Sequence, residues 1–223
     1  GSVGVTLSKE GSASGAALSD ASVTASAAAI GIDGDEDNDK ITNRGDIDLI
    51  ASSDATGVSV SVDVAGTMEG SSAGVSVSDA SVTANVGATG ISGGEGDDGI
   101  INDALTTTTN ATASATGVSV GLTVSGSMEG NVEGQALSDA RVTAEASAIG
   151  IDGGTGQDTI DSWSNLFSAV DASATGVAVC LKVGFTKEGD LSPEAVAEGS
   201  SLSDASVIAS AKAIGIDGGE NSN

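Results

Sequence analysis

The sequence predicts an all-β, repetitive solenoid, and three observations favour that class. A Glu-Gly step, a Ser-Asp-Ala tripeptide and a Gly-Ile step return in the same order about every 60 residues, a period typical of stacked repeat proteins. Apolar residues alternate with small ones along each unit. The chain has 33 Gly, one Trp, two Phe and no Tyr, which indicates a thin core of small and β-branched side chains.

Each unit opens with an alternating strand. Valine occupies every second position over 58–64, and an apolar residue does so over 118–124 and 177–185. Period two over seven or more residues is typical of a half-buried strand. A Glu-Gly turn and a second strand, such as 74–77, follow. The alternation shifts phase at Ser-Asp-Ala, and residues 82–86 continue extended.

The glycines indicate a finer rhythm within a unit. Gly57, Gly74, Gly90 and Gly117 are 17, 16 and 27 residues apart. We therefore predict a parallel β-helix with about three rungs of roughly 20 residues per unit, valine stacked over valine, and the acidic loop on the third rung. The alternative is a series of tandem antiparallel β-sandwich repeats joined around the Glu-Gly turns.

The repeat divides the whole sequence into a single solenoid of four units. Their approximate bounds are 1–56 (partial), 57–116, 117–175 and 176–223 (partial), with one insertion near Pro193. Because the first and last residues both fall inside a unit, we expect a segment of a longer array.

Composition narrows the range of functions. The formal charge of −25, from 32 acidic and 7 basic residues, argues against nucleic acid and favours divalent cations as partners. No apolar run is long enough for a transmembrane helix. A single cysteine, Cys180, excludes an internal disulfide framework. Because the protein lacks histidine and has only one tryptophan, we expect that it is not an enzyme.

A glycine- and acid-rich loop follows each Gly-Ile step. Residues 153–161 read Gly-Gly-Thr-Gly-Gln-Asp-Thr-Ile-Asp, and residues 93–101 read Gly-Gly-Glu-Gly-Asp-Asp-Gly-Ile-Ile. Both fit the nonapeptide G-G-x-G-x-D-x-U-x and resemble the calcium-binding repeat of RTX proteins. Residues 34–41 keep the Asp and the Ile, and residues 218–220 begin a fourth copy.

The RTX resemblance implies calcium in these loops, with glycine allowing a tight turn and carbonyl and Asp oxygens as ligands. In RTX proteins the nonapeptides are in tandem and adjacent turns share an ion. Here the motif occurs once per unit, so each site needs ligands from elsewhere. In the second and third units the candidate residues are Gly94, Gly96, Asp98, Asp152, Gly154, Gly156 and Asp158.

The first loop is the richest in carboxylates. Asp33, Asp35, Asp37 and Asp39 occupy alternate positions. Oxygen ligands at this spacing suit a hard cation that takes six to eight oxygens, and clustered carboxylates repel one another without a counter-ion. This loop is the best single candidate for a calcium site.

These observations predict a structural role: a calcium-stabilised stalk or fibre segment of an extracellular adhesin or matrix protein, within a large bacterial repeat adhesin at the cell surface. The expected partners are calcium ions and flanking repeats, or other copies of the protein end to end. Two alternatives stay open, a surface module that recognises ice, glycan or a receptor, and a β-helix enzyme that acts on glycans.

Overall fold

The computed structural model describes residues 1–187 and 197–220, which form eleven strands and no helix, and hence no helix that could cross a membrane. The insertion near Pro193 and the last Glu-Gly step lie outside these residues. The strands are β1 (Ser2–Glu10), β2 (Ala13–Asp33), β3 (Lys40–Asn43), β4 (Ile47–Glu69), β5 (Ser72–Ser92), β6 (Gly99–Asn102), β7 (Thr106–Glu129), β8 (Val132–Asp152), β9 (Thr159–Ser162), β10 (Asn165–Thr186) and β11 (Ala197–Asp217).

The strands form three parallel sheets that run along a solenoid. Sheet A has the order β1-β4-β7-β10, sheet B has β2-β5-β8-β11, and sheet C has β3-β6-β9. Equivalent residues of successive units are paired, as in Val58 with Val118 and Val118 with Val177. The predicted parallel solenoid is therefore confirmed. The antiparallel sandwich alternative is wrong, because every ladder among the described residues is parallel.

The prediction of three rungs per unit is also wrong, because one unit makes one coil. Gly57 lies in β4, whereas Gly74 and Gly90 both lie in β5 on the facing sheet. A Cβ at Gly57 would stand 2.6 Å from Val82 Cγ2, and one at Gly117 would stand 2.6 Å from Val142 Cγ2. Glycine at this position makes room for a valine across the coil, so its spacing reflects packing between sheets.

The Glu-Gly step carries the backbone from sheet A to sheet B. β4 ends at Glu69 and β5 begins at Ser72, with Gly70 at a φ of 110° between them. β4 and β5 belong to different sheets and pack face to face, with the Ser72 hydroxyl donating to the Ala65 carbonyl at 3.0 Å. We call the part of the coil around this turn, residues 58–78 in the second unit, the arch half.

The opposite part of the coil, the loop half, has an apolar interior. Around the arch half of the second unit it comprises residues 51–57, which precede that half on β4, together with residues 80–92 and β6. Its core contains Val82, Ala84 and Ala88 and is continuous with the same positions of the neighbouring units. A second cluster of Ile41, Ile91, Ile100 and Ile151 lies beside the acidic loops. These residues point inward because the Ser-Asp-Ala step changes which side of the strand is apolar.

The arch half has a polar interior and an apolar exterior. Ser59, Ser61 and Asp63 are each 0% exposed, whereas the outward Val58 is 56% exposed. The valines over 58–64 do stack on those of the next unit, as predicted. They lie on the outer face of sheet A rather than in the core, because the alternation of β4 places the intervening small residues inside.

Candidate metal site

The glycine- and acid-rich loops stack on one edge of the solenoid. Isolated parallel bridges join Glu36 to Glu95, Glu95 to Thr155, and Thr155 to Glu220. Gly94 and Gly96 have φ values of 98° and 132°, in the left-handed region that favours glycine. A Cβ at either position would collide with the carbonyl of the loop in the preceding unit. Glycine therefore allows both the tight turn and the close stacking.

The aspartate of each nonapeptide is bonded to the neighbouring loop. The Asp39 amide donates to Asp98 Oδ1 at 2.7 Å, and the Asp98 amide donates to Asp158 Oδ1 at 2.9 Å. One carboxylate oxygen of each acceptor is therefore used to hold two loops together. We call the stack of Asp39, Asp98 and Asp158 the aspartate ladder.

The other oxygen of each ladder residue has no partner. Asp39, Asp98 and Asp158 each have an Oδ2 atom that is buried and accepts no hydrogen bond, and Asp98 as a whole is only 2% exposed. Leaving a buried acceptor unsatisfied costs about 1–3 kcal/mol, and more when the group is charged. The same unpartnered oxygen recurs in three successive loops.

Backbone oxygens lie beside these carboxylates. A Cβ added to Gly93 would stand 2.7 Å from Asp98 Oδ2 and would also collide with the Gly153 carbonyl oxygen. All of these potential metal ligands are oxygen atoms, the type of ligand that calcium prefers. Within residues 1–187 and 197–220 no group of three or more acidic side chains is placed so that it could hold a metal ion.

The first loop does not gather its four aspartates. Asp33, Asp35 and Asp37 are exposed, and only Asp39 joins the aspartate ladder. Asp35 and Asp37 have φ values of 72° and 80° because they replace the glycines of the other loops. Alternation along a stacked turn thus points the carboxylates apart, rather than toward one ion.

Asp152 forms the turn instead of joining the ladder. Its Oδ1 accepts the Gly154 amide at 3.1 Å, and Asp33 Oδ1 faces the Asp35 amide at 3.4 Å in the same way. This is an Asx turn, in which the side chain substitutes for backbone hydrogen bonding. Two of the candidate glycines, Gly154 and Gly156, have φ values of 90° and 135°. They contribute to the turn through their backbone conformation.

Sequence reasoning did not find the residue before each ladder aspartate. The Asp97 amide donates to Asn38 Oδ1 at 2.9 Å, and the Gln157 amide donates to Asp97 Oδ1 at 2.8 Å. These bonds run in the opposite direction along the solenoid from those of the ladder. The available signal was that Asn38, Asp97 and Gln157 all have an amide or carboxylate oxygen that can accept a hydrogen bond.

A second stack of polar side chains supports the loop from inside. Asn43 Nδ2 donates to Asn102 Oδ1 at 2.9 Å, and Asn102 Nδ2 donates to Thr107 Oγ1 at 3.0 Å. Asn102 is fully buried. Asn43 and Asn102 end the short strands β3 and β6 of sheet C, and Thr107 lies in β7 of sheet A, so these bonds join sheet C to sheet A beside the acidic loops.

No family model matches this sequence, and no curated protein or solved structure is detectably similar to it. Any inference about function therefore depends on the sequence and the structure of the protein itself.

Proposed function

We propose that this protein is a structural segment of a calcium-stabilised extracellular rod, such as the stalk of a bacterial surface adhesin or a matrix fibre. The observation that carries the proposal is the unpartnered, buried Oδ2 atom in each member of the aspartate ladder. Calcium would be held by these oxygens together with nearby loop carbonyls, and would supply positive charge to a protein of formal charge −25.

The architecture supports a mechanical role. Parallel ladders join every unit to the next over strands of 21 to 24 residues, such as β5 and β7. The loops are held by hydrogen bonds between units, so a cation bound there stiffens contacts along the solenoid axis. Calcium that binds only the folded state stabilises it by mass action, by about 2.7 kcal/mol at 100 times the Kd for each site.

The test is thermal unfolding followed by far-UV circular dichroism, in calcium, magnesium or chelator at matched ionic strength. We expect calcium to raise the Tm. Asp98→Asn, which keeps an oxygen able to accept the Asp39 amide but removes the charge, should reduce the rise. Asp54→Asn is the matched control, because Asp54 is an exposed aspartate on the outer face of sheet A, away from the loops. Asp79→Asn tests a rival position, because Asp79 lies on the outer face of sheet B and its Oδ1 atom is also buried without a partner.

A Tm that is the same in calcium and in chelator would refute the role of the metal. A rise that survives Asp98→Asn and is lost with Asp79→Asn would place the ion elsewhere.

A further inference from the structure

The outer face of sheet A carries a broad apolar surface that no residue of 1–187 or 197–220 covers. In the arch half its outward side chains form stacked columns, one of which is Val3, Val62, Leu122 and Leu181. Val3 is 73% exposed and Leu181 54%. We call this surface the valine face; it comprises the outward residues of 3–9, 58–68, 118–128 and 177–187.

The valine face differs from the rest of the surface in charge. Its only charged residues are Lys9 and Lys187, at the ends of the column nearest the Glu-Gly turns. The outer face of sheet B, by contrast, carries a column of four stacked aspartates, and Arg141 pairs with one of them, Asp139, at 2.7 Å. A charged partner therefore gains nothing on the valine face, whereas an uncharged apolar one does.

The size of the face matches a protein interface. Three rungs of eleven residues and one of seven, at about 3.3 Å per residue and about 4.8 Å between rungs, cover roughly 630 Å². The largest apolar patch on a typical monomer is about 300–600 Å², and a standard interface buries about 800 Å² per partner. The valine face is thus large for a free surface and adequate for a stable contact.

The row spacing and the groove of the valine face indicate which kind of partner fits it. Its side-chain rows repeat at the strand spacing, about 4.8 Å, and sheets that pack face to face interdigitate such rows. A groove of about 630 Å³ crosses the face where Gly66 and Gly126 lie between Leu7 and Phe185. A partner with the same row spacing and its own protruding apolar side chains fits over every rung.

We propose that the valine face is the docking surface for a second copy of this protein, so that two solenoids pair side by side through sheet A. The partner supplies the same uncharged face, the same area and the same row spacing. This contact needs no calcium and no loop residue, and it is therefore distinct from the proposed cation sites.

Analytical ultracentrifugation of the whole protein, from micromolar to millimolar concentration in chelator, tests the proposal. We expect a monomer–dimer equilibrium, with Leu122→Lys raising the dimer Kd by at least about tenfold, as for a central interface residue. Thr143→Lys, which adds the same charge to the outer face of sheet B in the same unit, should leave the Kd unchanged. Val62→Thr with Leu122→Thr makes the face more polar while presenting β-branched side chains that suit a strand, and it serves if the lysine variant fails to fold.

Oxidation of the two methionines provides a second readout. Met68 and Met128 lie at the edge of the valine face and are 51% and 43% exposed. Peroxide should oxidise them more slowly in the dimer than in the Leu122→Lys monomer. A protein that stays monomeric throughout would overturn the proposal, as would a dimer unaffected by the valine-face variants with its methionines unprotected. A monomer that binds phosphatidylcholine vesicles would assign the face to a lipid surface instead.

Discussion

The two halves of the coil bury opposite kinds of side chain on the same strands. In the loop half Val82 and Ala84 face inward at 1% and 0% exposure, and threonine or serine faces solvent. In the arch half Ser59 and Ser76 face inward at 0% exposure, and valine faces outward. β5 runs through both halves without a break, so the inversion lies in the sequence and not in the backbone.

The arch half is held by hydrogen bonds where the loop half is held by apolar burial. The Ser78 hydroxyl donates to Ser59 Oγ at 2.9 Å, and Ser138 donates to Ser119 Oγ at 2.8 Å, across the interior. Each such bond contributes a net of only about 0.5–1.5 kcal/mol, whereas a fully buried Val or Ile contributes about 1.5–3 kcal/mol. One parallel coil thus combines an apolar core in the loop half (hereafter the dry core) with a polar interior in the arch half, and the dry core contributes most of the stability.

Substitutions in the dry core should lower the free energy of unfolding most. Ile100→Ala removes a fully buried side chain from the isoleucine cluster and should lower the free energy of unfolding by about 2–5 kcal/mol. Val120→Ala, on the outer face of the arch half in the next unit, should cost below about 1 kcal/mol in the monomer, since little burial is lost. Urea denaturation at low protein concentration measures both. Equal losses would contradict the contrast between the halves.

A buried carboxylate inside the arch half, that of Asp63, should make the free energy of unfolding depend on pH. Asp63 is 0% exposed, and neither of its side-chain oxygens accepts a hydrogen bond. Burial raises the pKa of Asp63 above its ordinary value, opposed by the nearby Val75 amide. Gly15 and Gly74 face it across the coil, and the next unit has Thr123 at the same position. No charged side chain of the facing strand therefore offsets the burial.

The raised pKa makes stability depend on pH in a stated direction. Below the ordinary pKa of an aspartate both the folded and the unfolded states hold the proton. As pH rises between the unfolded and the folded pKa of Asp63, the unfolded state releases its proton first, and the free energy of unfolding falls. Above the folded pKa the loss stays constant. Asp63→Thr, the residue of the next unit, should therefore be more stable than the native protein by about 1–3 kcal/mol at neutral pH.

Urea midpoints of the native protein and Asp63→Thr across the acidic range check this prediction. The difference between them should shrink toward low pH. Thr83→Ala, which removes no ionisable group from the outer face of sheet B, provides the control and should leave the pH profile parallel to that of the native protein. A difference that grows as pH falls would mean that Asp63 is a stabilising anion in the fold.

Much of the fold could be predicted from the sequence, because period and alternation directly report stacking and strands. The inversion between halves could not. An alternating strand has two faces, and periodicity does not say which one points inward. Valine at 58–64 suggests the core by its hydrophobicity, yet these valines face outward, and the alternate residues Ser59, Ser61 and Asp63 face inward.

The candidate site was predictable in its position and not in its chemistry. The nonapeptide locates the turn and the aspartates at 98 and 158, which the structure stacks. The alternating acids of the first loop suggested one clustered site, but the stacking of loops uses backbone bonds along the axis and turns Asp35 and Asp37 outward. Hydrogen bonds between units, such as that from the Asp98 amide to Asp158, involve residues 60 apart and have no local signature.

The smallest expected effect separates these two descriptions of the acidic edge. Asp35→Gly with Asp37→Gly restores the glycines of the other loops at two positive-φ positions and should stabilise the protein by roughly 0.5–1 kcal/mol each. Because neither residue belongs to the aspartate ladder, the calcium-dependent rise in Tm should be unchanged. Asp39→Asn, in the same loop, should reduce that rise as Asp98→Asn does. If instead the double glycine variant loses the calcium response while Asp39→Asn keeps it, the ion is bound by the exposed carboxylates of the first loop and not by the aspartate ladder.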